Sequence, residues 1–381
     1  MAVIKALHLC STTLEPPYFE NLSQGLVARG VTLLLGSLSE PKPPSWLSKI
    51  PGARYFYFNA RTRSRYPVAL WEVMQLLRHE RIDVIQTHLF DAGIVGLLAA
   101  RLAGTTVKIV ARHHMDEPHL LGKRSHVELD RWISRTADGV VVPSRAVKDY
   151  IHSQERHKGD NIIVIPYGFN FASLDATEED RNKVRAEFGL ESKFVLGCVG
   201  RFFKNKGHIY LFQALKELVE EIPQIHLLLL GSGDKAMMEA MISEYGLEKF
   251  VTFAGYRSDV PACMKAMDLF VHPSLSESFG QVIVEAMNVG TAVLATRVGG
   301  VPEIVEDGET GLLVPPADSR AFEHAVLELY RDEEQRERLA RAGQQSVRMR
   351  FTVEQMVDKQ LHSYHRLLRP SSSANDNHVG S

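Results

Sequence analysis

The chain has 381 residues, of which 45% are hydrophobic and 24% charged, and its formal net charge at pH 7 is −2. This length exceeds one typical core and predicts two domains, and the composition is that of an ordinary soluble globular protein. No apolar run reaches the ~18 residues needed to cross a bilayer. The three cysteines are scattered without a C-x-x-C pair, and no export signal is recognisable, so buried, inert thiols in a reducing cytoplasm are predicted.

Short apolar runs alternate with helical patterns from the N-terminus to residue 168, which predicts βαβ units and a parallel sheet. The boundary is placed at residues 166–170, PYGFN, because this segment follows the last apolar run and leads into a polar stretch. The predicted strands are 3–9, 31–35, 55–58, 84–87, 107–111, 139–143 and 161–165, and the predicted helices are 18–28, 68–79, 92–103, 126–136 and 144–152.

The second half repeats this alternation and ends in charged helical patterns. Because ligands of open α/β sheets bind beyond the carboxyl ends of the strands, the loops that follow these strands are predicted to form the site. The predicted strands are 194–199, 226–230, 251–254, 269–272, 292–295 and 312–314.

Residues 273–290, PSLSESFGQVIVEAMNVG, are the most informative stretch. Ser278 and Gln281 match an S-x-x-Q capping box, so a helix is predicted to begin at Ser278 and to stop at Gly290. Glu277 then precedes the helix and Glu285 lies inside it, roughly 10 Å apart along the axis. That distance suits two sugars at opposite ends of a diphosphate bound at the helix N-terminus. Taken alone, a loop acid and an exposed helix glutamate are the commoner explanation.

Two cations belong to a glycine-bounded loop after the predicted strand 194–199. Arg201 and Lys206 would neutralise a diphosphate, and each charge-assisted contact contributes roughly 1.5 to 3 kcal/mol. The pattern G-x-x-x-x-G-K-[ST] is absent, so hydrolysis of a nucleoside triphosphate is disfavoured. Lys204 lies in the same loop and is expected to be a solvated surface lysine.

Three ordered motifs resemble those of the family 4 retaining glycosyltransferases, the glycosyl transferases of group 1. Residues 200–207 match G-R-[LF]-x-x-x-K-G, residues 277–285 match the E-x7-E element, and residues 298–314 match the next signature almost letter for letter. The PYGFN segment also resembles the family's interdomain linker, with Phe169 in place of an aliphatic residue.

The resemblance implies an α/β protein of the GT-B type, with two Rossmann-like doubly wound domains facing one another across a cleft. Residues 1–168 would bind the acceptor and residues 169–351 the nucleotide sugar, while a last helix at 352–369 would pack back on the first domain. Residues 370–381 are expected to be disordered. The implied reaction moves a hexose from a nucleoside-diphosphate sugar to a hydroxyl of a glycan, glycolipid or small molecule. It retains the anomeric configuration and needs neither metal nor cofactor; no nucleic acid is involved.

The resemblance also implies roles for single residues, and Arg201 and Lys206 would hold the diphosphate. Glu285 would accept both hydroxyls of the nucleotide ribose. Glu277 would hydrogen-bond the donor sugar, beside Ser278 and the backbone of Phe279 and Gly280. Glu277 is not assigned as a nucleophile, because transfer in this fold is attributed to a front-face, ion-pair route in which the leaving phosphate takes the acceptor proton.

A pair of histidines follows the strand predicted at 107–111. The family carries a site histidine here, and the alignment favours His113, which would touch the donor sugar or position it through its carbonyl. Adjacent residues of an extended segment point to opposite sides, so only one of His113 and His114 should face the cleft. Residues 116–119, DEPH, lack the H-E-x-x-H and EF-hand spacings, so no metal is expected. A solvated loop histidine is the alternative for each.

Three further features of the sequence indicate function less specifically than these motifs. Tyr256 and Arg257 follow a strand and would approach the nucleobase. Residues 11–17 lack the double glycine of many relatives, so no firm donor contact is expected there. A basic cluster at residues 61–65, Arg61, Arg63 and Arg65, follows an aromatic run, which is compatible with docking on anionic lipid at the inner face of the membrane. A solvated loop is the commoner explanation.

Charge is also divided unevenly, since residues 1–168 hold 21 Lys and Arg against 15 Asp and Glu, and the remainder 23 against 31. A basic first half fits an acidic acceptor or an anionic surface, and an asymmetry without function is at least as common. Two alternative functions stay open: a nucleotide-sugar epimerase of the same shape, and a noncatalytic nucleotide-sugar-binding subunit. The sequence indicates neither the sugar, the base, the acceptor nor the oligomeric state.

Overall fold

The computed structural model describes residues 3–115, 124–155, 157 and 159–369. Within these ranges the chain forms two β-sheets flanked by helices, and the strand pairs are parallel. The predicted α/β protein with two Rossmann-like domains is therefore confirmed. The tail at 370–381, predicted to be disordered, lies outside the described residues.

The first sheet is built from buried apolar strands, as expected where helices cover both faces of a parallel sheet. Strands β1 to β7 are Lys5–Cys10, Thr32–Ser37, Arg54–Tyr57, Val84–His88, Val107–Ala111, Gly139–Val142 and Ile162–Val164. Helices α1 to α5 are Pro17–Ala28, Tyr66–Glu80, Phe90–Ala103, Arg124–Thr136 and Arg145–Ser153. The described strands are ordered β3-β2-β1-β4-β5-β6-β7.

The second sheet follows the same plan. Strands β8 to β13 are Phe194–Val199, Ile225–Leu230, Val251–Gly255, Leu269–His272, Ala292–Thr296 and Leu312–Val314. Helices α6 to α13 are Glu178–Phe188, His208–Glu221, Lys235–Glu244, Val260–Lys265, Gln281–Asn288, Ser319–Arg331, Glu333–Arg350 and Val353–Leu368. The order is β10-β9-β8-β11-β12-β13.

Strand order reverses in both sheets beside the first strand of each domain, between β1 and β4 and between β8 and β11. Such a switch point opens a crevice at the carboxyl ends of the strands, where ligands of doubly wound folds bind. All predicted strands are present, with ends within two residues of the predicted bounds.

The chain crosses between the domains at two adjacent places. The Phe169 N–H donates to the carbonyl of Phe351 at 2.9 Å. Gly168 leaves no room for a side chain, because a Cβ there would lie 2.7 Å from the Thr352 carbonyl. Thr352 and Gln355 form a capping box at the start of α13, and α13 then packs against α1 of the first domain.

No helix in the described ranges is both long and apolar enough to cross a membrane. The cysteines are free and buried, as predicted. Burial raises the pKa of Cys198 to about 12 and that of Cys263 to about 11, so these thiols stay protonated at neutral pH.

Candidate active site

The switch point of the second sheet gathers the predicted diphosphate-binding residues. Arg201 and Lys206 follow β8, Glu277 follows β11, and these two strands are hydrogen-bonded neighbours. Lys206 and Glu277 are 71 positions apart in sequence, yet the fold places their side chains in contact. The loops after β8 and β11 therefore form one polar face, as expected from the topology.

These side chains line a cavity of about 190 Å³ to which both domains contribute. A larger cavity of about 820 Å³ lies beside the second crossing, around Phe351 and Arg350, and its lining contains none of the predicted cations. The smaller cavity contains Arg201, Lys206 and Glu277 and is therefore the candidate active site. Its lining residues are His113, Tyr167, Val199, Gly200, Arg201, Lys206, His272, Glu277, Ser278, Phe279, Gly280, Gln281 and Val282.

Glu277 is held by two donors at the floor of this cavity. Its Oε2 accepts from Lys206 Nζ at 2.7 Å and lies 3.2 Å from His272 Nε2. Burial alone would raise the pKa of Glu277, but the hydrogen bonds and charges of His272 and Lys206 prevail and lower it to about 2. Glu277 is therefore a carboxylate at neutral pH and can accept hydrogen bonds but cannot donate a proton.

Arg201 and Lys204, which lie in the same loop as Lys206, are more exposed to solvent than Lys206. The Arg201 guanidinium lies over the ring of Phe203, 4.7 Å from its centroid, and Arg201 is exposed at the cavity mouth. Lys204 is exposed as expected and is not among the cavity-lining residues. The loop thus offers one cation inside the cavity and one at its entrance.

Close backbone packing fixes the position of Glu277. The Gly300 N–H donates to the Glu277 carbonyl at 3.0 Å. A Cβ at Gly299 would lie 1.8 Å from the same carbonyl oxygen, and the φ of Gly299 is +49°. Only glycine allows this approach, which explains why the G-G pair of the third motif belongs to the site.

Gly299→Ala is expected to lower both stability and activity. A left-handed alanine costs about 1 to 2 kcal/mol, and the clash must additionally displace the Glu277 loop. Gly308→Ala is the matched control, because Gly308 has a φ of +77° and a Cβ added there would meet no heavy atom within 4 Å. Thermal unfolding and turnover of both variants are compared. Equal losses in the two variants would contradict the proposed role of the close contact.

Helix α10 begins at Gln281, so the prediction of a capping box at Ser278 is wrong. Gly280 immediately precedes the helix, with a φ of +110° that favours glycine. Ser278 instead donates its hydroxyl to the carbonyl of His113 at 2.9 Å, across the cleft. A contact with the other domain replaces the local cap, and Glu285 becomes the fifth residue of the helix.

A second set of contacts holds the domains together beside the cavity. The Ser144 hydroxyl donates to the Ser278 carbonyl at 2.6 Å. The Glu303 carboxylate accepts the N–H groups of Arg145 and Ala146 at 3.0 and 2.9 Å. These N–H groups begin α5, where a negative charge is stabilised by the helix dipole. The cleft is therefore closed over the cavity on this side.

His113 lines the cavity from the first domain, as predicted. Its Nδ1 lies 2.7 Å from the Tyr167 hydroxyl, and its Nε2 lies 3.0 Å from His88 Nδ1. Burial, followed by the charge of His114, lowers the pKa of His113 to about 4. The imidazole is neutral at pH 7, and its carbonyl is engaged by Ser278.

His114 points elsewhere, in agreement with the alternation of an extended segment. Its Nε2 lies 4.0 Å from Asp130, a buried residue that also lies 3.5 Å from Arg112. His114 is not among the residues lining the cavity. Residues 116–119, which were considered as metal ligands from the sequence, lie outside the described part of the chain.

Glu285 lies one turn beyond Gln281 on α10 and is half-buried. Burial raises the pKa of Glu285 to about 7 from its ordinary value of 4.5. Burial is the one cause of this shift, with no charge or hydrogen bond from the described residues to offset it. The two acids of the E-x7-E element therefore have opposite pKa shifts, because His272 and Lys206 act on Glu277 whereas burial dominates at Glu285.

Tyr256 and Arg257, which are expected to approach the nucleobase, lie away from this cavity. Arg257 is engaged away from the cavity in ion pairs with Glu187 at 2.5 Å and Asp259 at 2.7 Å. Tyr256 is 88% exposed, and neither residue lines the cavity. β10 is the edge strand, two strands away from β8 at the switch point. The approach of Tyr256 and Arg257 to the nucleobase stays a prediction.

The loop after β1 is occupied by internal contacts. The Ser11 hydroxyl accepts the Ala92 N–H at 2.8 Å, and the Thr12 carbonyl accepts the Ser37 hydroxyl at 2.7 Å. No residue of this loop is among those lining the cavity. The expectation of no firm donor contact there stays a prediction.

His272 and Tyr167 line the cavity but were not predicted from the sequence to do so. His272 ends β11, immediately before the loop that carries Glu277, and this position at the switch point was the available signal. Tyr167 was treated only as part of the interdomain linker. In the ranges that the structure describes, no group of three or more His, Cys, Asp and Glu side chains could hold a metal ion.

Two Rossmann-like domains with a cationic cavity between them are typical of the GT-B class of glycosyltransferases. The family model Glycosyl transferases group 1 matches residues 180–346, and the model Glycosyltransferase Family 4 matches residues 17–172. The chain belongs to this family of group 1, family 4 glycosyltransferases. The resemblance carried by the three motifs is thereby confirmed.

Similar proteins agree with this assignment. The D-inositol 3-phosphate glycosyltransferase of Corynebacterium urealyticum is 30% identical over 298 residues, covering 72% of this chain and 70% of that protein. The N-acetyl-alpha-D-glucosaminyl L-malate synthase of Bacillus anthracis is 28% identical over 310 residues, covering 80% of each chain. The crystal structure of Anabaena HepE in complex with UDP-glucose superposes with a TM-score of 0.82 at 25% identity, covering 94% of this chain and 100% of that one.

Proposed function

We propose that the protein transfers a hexose from a nucleoside-diphosphate sugar to an acceptor hydroxyl with retention of the anomeric configuration. The arrangement of Lys206, Glu277 and His272 at the switch point, facing His113 of the other domain, carries the proposal. It provides a cation for a phosphate and a carboxylate for a sugar within one cavity of about 190 Å³.

The diphosphate is assigned to Lys206 and Arg201. Negative charge grows on the leaving diphosphate as the glycosidic bond breaks, so fixed cations stabilise the transition state more than the ground state. The start of α10 lies beside these cations, and its free N–H groups favour an anion. Glu285, one turn further along the helix, is assigned to the ribose hydroxyls.

The sugar is assigned to Glu277, which acts as a hydrogen-bond acceptor. Among the described residues that line the cavity, Glu277 is the only carboxylate. A double displacement of the hydrolase type needs two carboxyl groups about 5 Å apart. A front-face route, in which the leaving phosphate oxygen takes the proton of the acceptor hydroxyl, needs neither a second carboxylate nor a protein base.

A similar solved structure indicates which donor sugars to test first. The HepE crystals contain UDP-glucose, which makes UDP sugars the first donors to test, followed by GDP and ADP sugars. Acceptors to test include inositol phosphate, malate and lipid-linked sugars, since relatives named for inositol phosphate and malate products are similar along most of this chain. The acceptor is assigned to the first domain.

The test is release of nucleoside diphosphate with a panel of donors and acceptors, followed by anomeric NMR of the product. The expected product is a new glycoside with the anomeric configuration of the donor. Inversion would contradict the mechanism. Conversion of the donor without an acceptor product would identify an epimerase, and saturable donor binding without turnover would identify a binding subunit.

Metal independence is a separate expectation. Lys206 and Arg201 supply the positive charge that a divalent cation supplies in other transferases. Treatment with EDTA is therefore expected to leave the initial rate within about twofold, and added Mg²⁺ or Mn²⁺ should not raise it. Abolition by EDTA with recovery on Mg²⁺ addition would contradict the assignment of the diphosphate to these two side chains.

A further inference from the structure

A continuous chain of buried side-chain hydrogen bonds connects helix α13 to the cavity. Its side chains come from α13, from strands β4 and β1, and from the segments after β5 and β7. At the α13 end, Tyr364 is 278 positions from Gln86 and 356 positions from His8 in sequence. The participating side chains, from the inside outward, are Gln86, Tyr364, His8, His88, His113 and Tyr167.

The three imidazoles of this chain are neutral. Burial lowers the pKa of His8 to about 3 and that of His113 to about 4, and it holds the pKa of His88 well below 6.5. Tyr18 packs edge-on against the rings of His88 and His113, and Phe19 packs edge-on against that of His88. No charged side chain takes part in the chain of hydrogen bonds.

Neutral imidazoles make the chain directional. Each ring carries its proton on one nitrogen, so it donates through that nitrogen and accepts through the other. A reversal at one ring would place two protons or two lone pairs face to face at its neighbour. The chain as a whole therefore has two self-consistent directions.

The orientation of the Gln86 amide, with Oε1 toward the Tyr364 hydroxyl, selects one of these directions. The Tyr364 hydroxyl donates to Gln86 Oε1 at 3.0 Å, which leaves its oxygen to accept from His8 Nε2 at 2.7 Å. With its proton on Nε2, His8 accepts at Nδ1 from His88 Nε2, at 3.3 Å. From Tyr364 outward each donor then faces an acceptor, while Gln86 Nε2 has no hydrogen-bond partner among the described residues.

The proton positions on His88, His113 and Tyr167 follow from that of His8. His88 accepts at Nδ1 from His113 Nε2 at 3.0 Å, which leaves His113 Nδ1 without a proton. The Tyr167 hydroxyl must donate to it, at 2.7 Å. The ring of Tyr167 is stacked on that of His113 at an angle of 12°, so the tyrosine is fixed in place as well as in hydrogen-bond direction.

The Tyr167 hydroxyl is close to the reacting region. Tyr167 lines the cavity together with Glu277. Burial raises the pKa of Tyr167 well above 10, and the charges of Tyr18 and Glu277 add to this effect. The phenol is thus protonated, its single proton is committed to His113, and its lone pairs are the groups it can offer to a ligand.

We propose that Tyr364, His8 and His88 are positioning residues that fix the tautomer of His113, and that Tyr167 consequently accepts a hydrogen bond from a hydroxyl group of the transferred sugar. The inference rests on the sugar-transfer function proposed above. It assigns to Tyr167 a part in sugar selection, because a site built to accept a hydroxyl proton rejects a sugar that lacks that hydroxyl.

The first test is ¹⁵N NMR of the histidine side chains in the full chain at neutral pH, with His8, His88 and His113 assigned by single substitutions. Protonated and unprotonated ring nitrogens are distinguished directly. The expected result is a proton on Nε2 in all three rings. A proton on Nδ1 of His113, or a mixture of tautomers, would overturn the proposal. The measurement needs no substrate, so its outcome is independent of the transfer activity.

The second test asks whether the Tyr364 hydroxyl determines which nitrogen of His113 carries the proton. Tyr364→Phe removes the acceptor of the His8 proton, so the reversed chain gains population and the proton of His113 is expected to move to Nδ1. Tyr330→Phe is the control, since the Tyr330 hydroxyl bonds Gln224 in the second domain, away from this chain of hydrogen bonds. An unchanged His113 tautomer in Tyr364→Phe would overturn the coupling.

The third test concerns the sugar. Tyr167→Phe is expected to weaken binding of UDP-glucose by about 5- to 30-fold, the effect of losing one buried hydrogen bond, and to leave UDP binding unchanged. Calorimetric titrations of both ligands give the comparison. Equal weakening of UDP and UDP-glucose would overturn the contact with the sugar, because it would report only a general change in packing.

Discussion

Lys206→Ala is expected to lower kcat by about 10²- to 10³-fold, the loss measured when one preorganised donor to a developing oxyanion is removed. Two effects combine in this variant. The leaving diphosphate loses its nearest cation, and Glu277 loses one of its two partners, Lys206 at 2.7 Å, which together with His272 lowers its pKa. Arg201→Ala is expected to weaken diphosphate binding as well, with a smaller effect because Arg201 is exposed.

Lys204→Ala is the matched control, because Lys204 lies in the same loop and is exposed to solvent. It changes the net charge of the protein by the same amount without touching the cavity. Turnover, Kd for the diphosphate and thermal unfolding are measured for both variants. Unchanged kinetics in Lys206→Ala, or an equal loss in Lys204→Ala, would remove Lys206 from the site.

Glu285→Gln is expected to reduce nucleotide affinity by about 10- to 100-fold while raising the free energy of unfolding at pH 8. The carboxylate accepts two ribose hydroxyls in the proposed complex, and an amide has only one acceptor oxygen. Each lost charge-assisted contact is worth roughly 1.5 to 3 kcal/mol. The gain in stability arises because the amide avoids the cost of burying an unpaired charge.

The pH dependence of stability follows from the direction of the shift. The pKa of Glu285 is raised from 4.5 to about 7 in the folded protein. Between these values the folded state binds a proton that the unfolded state lacks, so the contribution of Glu285 to the unfolding free energy falls as pH rises from about 4.5 to 7. Glu285→Gln should lose this dependence.

Nucleotide binding should have the opposite dependence, because it requires the carboxylate. Affinity is expected to fall as pH decreases below about 7, and binding near pH 6.5 should release a proton that calorimetry detects in buffers of different ionisation enthalpy. Glu217→Gln on α7, which alters an exposed helix carboxylate, is the control. A wild-type affinity that is constant from pH 6 to 8 would contradict the role of Glu285.

The local sequence was sufficient to predict the strands and the position of the polar face formed by the loops after β8 and β11. Period and turn residues located the strands to within two residues, and the rule of carboxyl-end loops placed Arg201, Lys206 and Glu277 at one edge. Glycine positions in the motifs also had a physical meaning, since Gly299 packs against the Glu277 carbonyl.

Long-range contacts limited what could be predicted. Ser278 has the local signature of a helix cap, but the carbonyl of His113, 165 positions away, takes its hydroxyl. Arg257 looked available at a strand end, yet Glu187 on α6 binds it. The hydrogen-bond chain from Tyr364 to His113 has no local signature, because its members meet only when α13 packs back on the first domain.

The most direct test of the account is a crystal structure with the nucleoside diphosphate that gives the largest thermal shift among UDP, GDP and ADP. We expect the diphosphate within hydrogen-bond distance of Lys206 Nζ and the first turn of α10, with the ribose hydroxyls on Glu285. A nucleotide bound elsewhere, with Lys206 still paired only to Glu277 and Glu285 facing solvent, would contradict it.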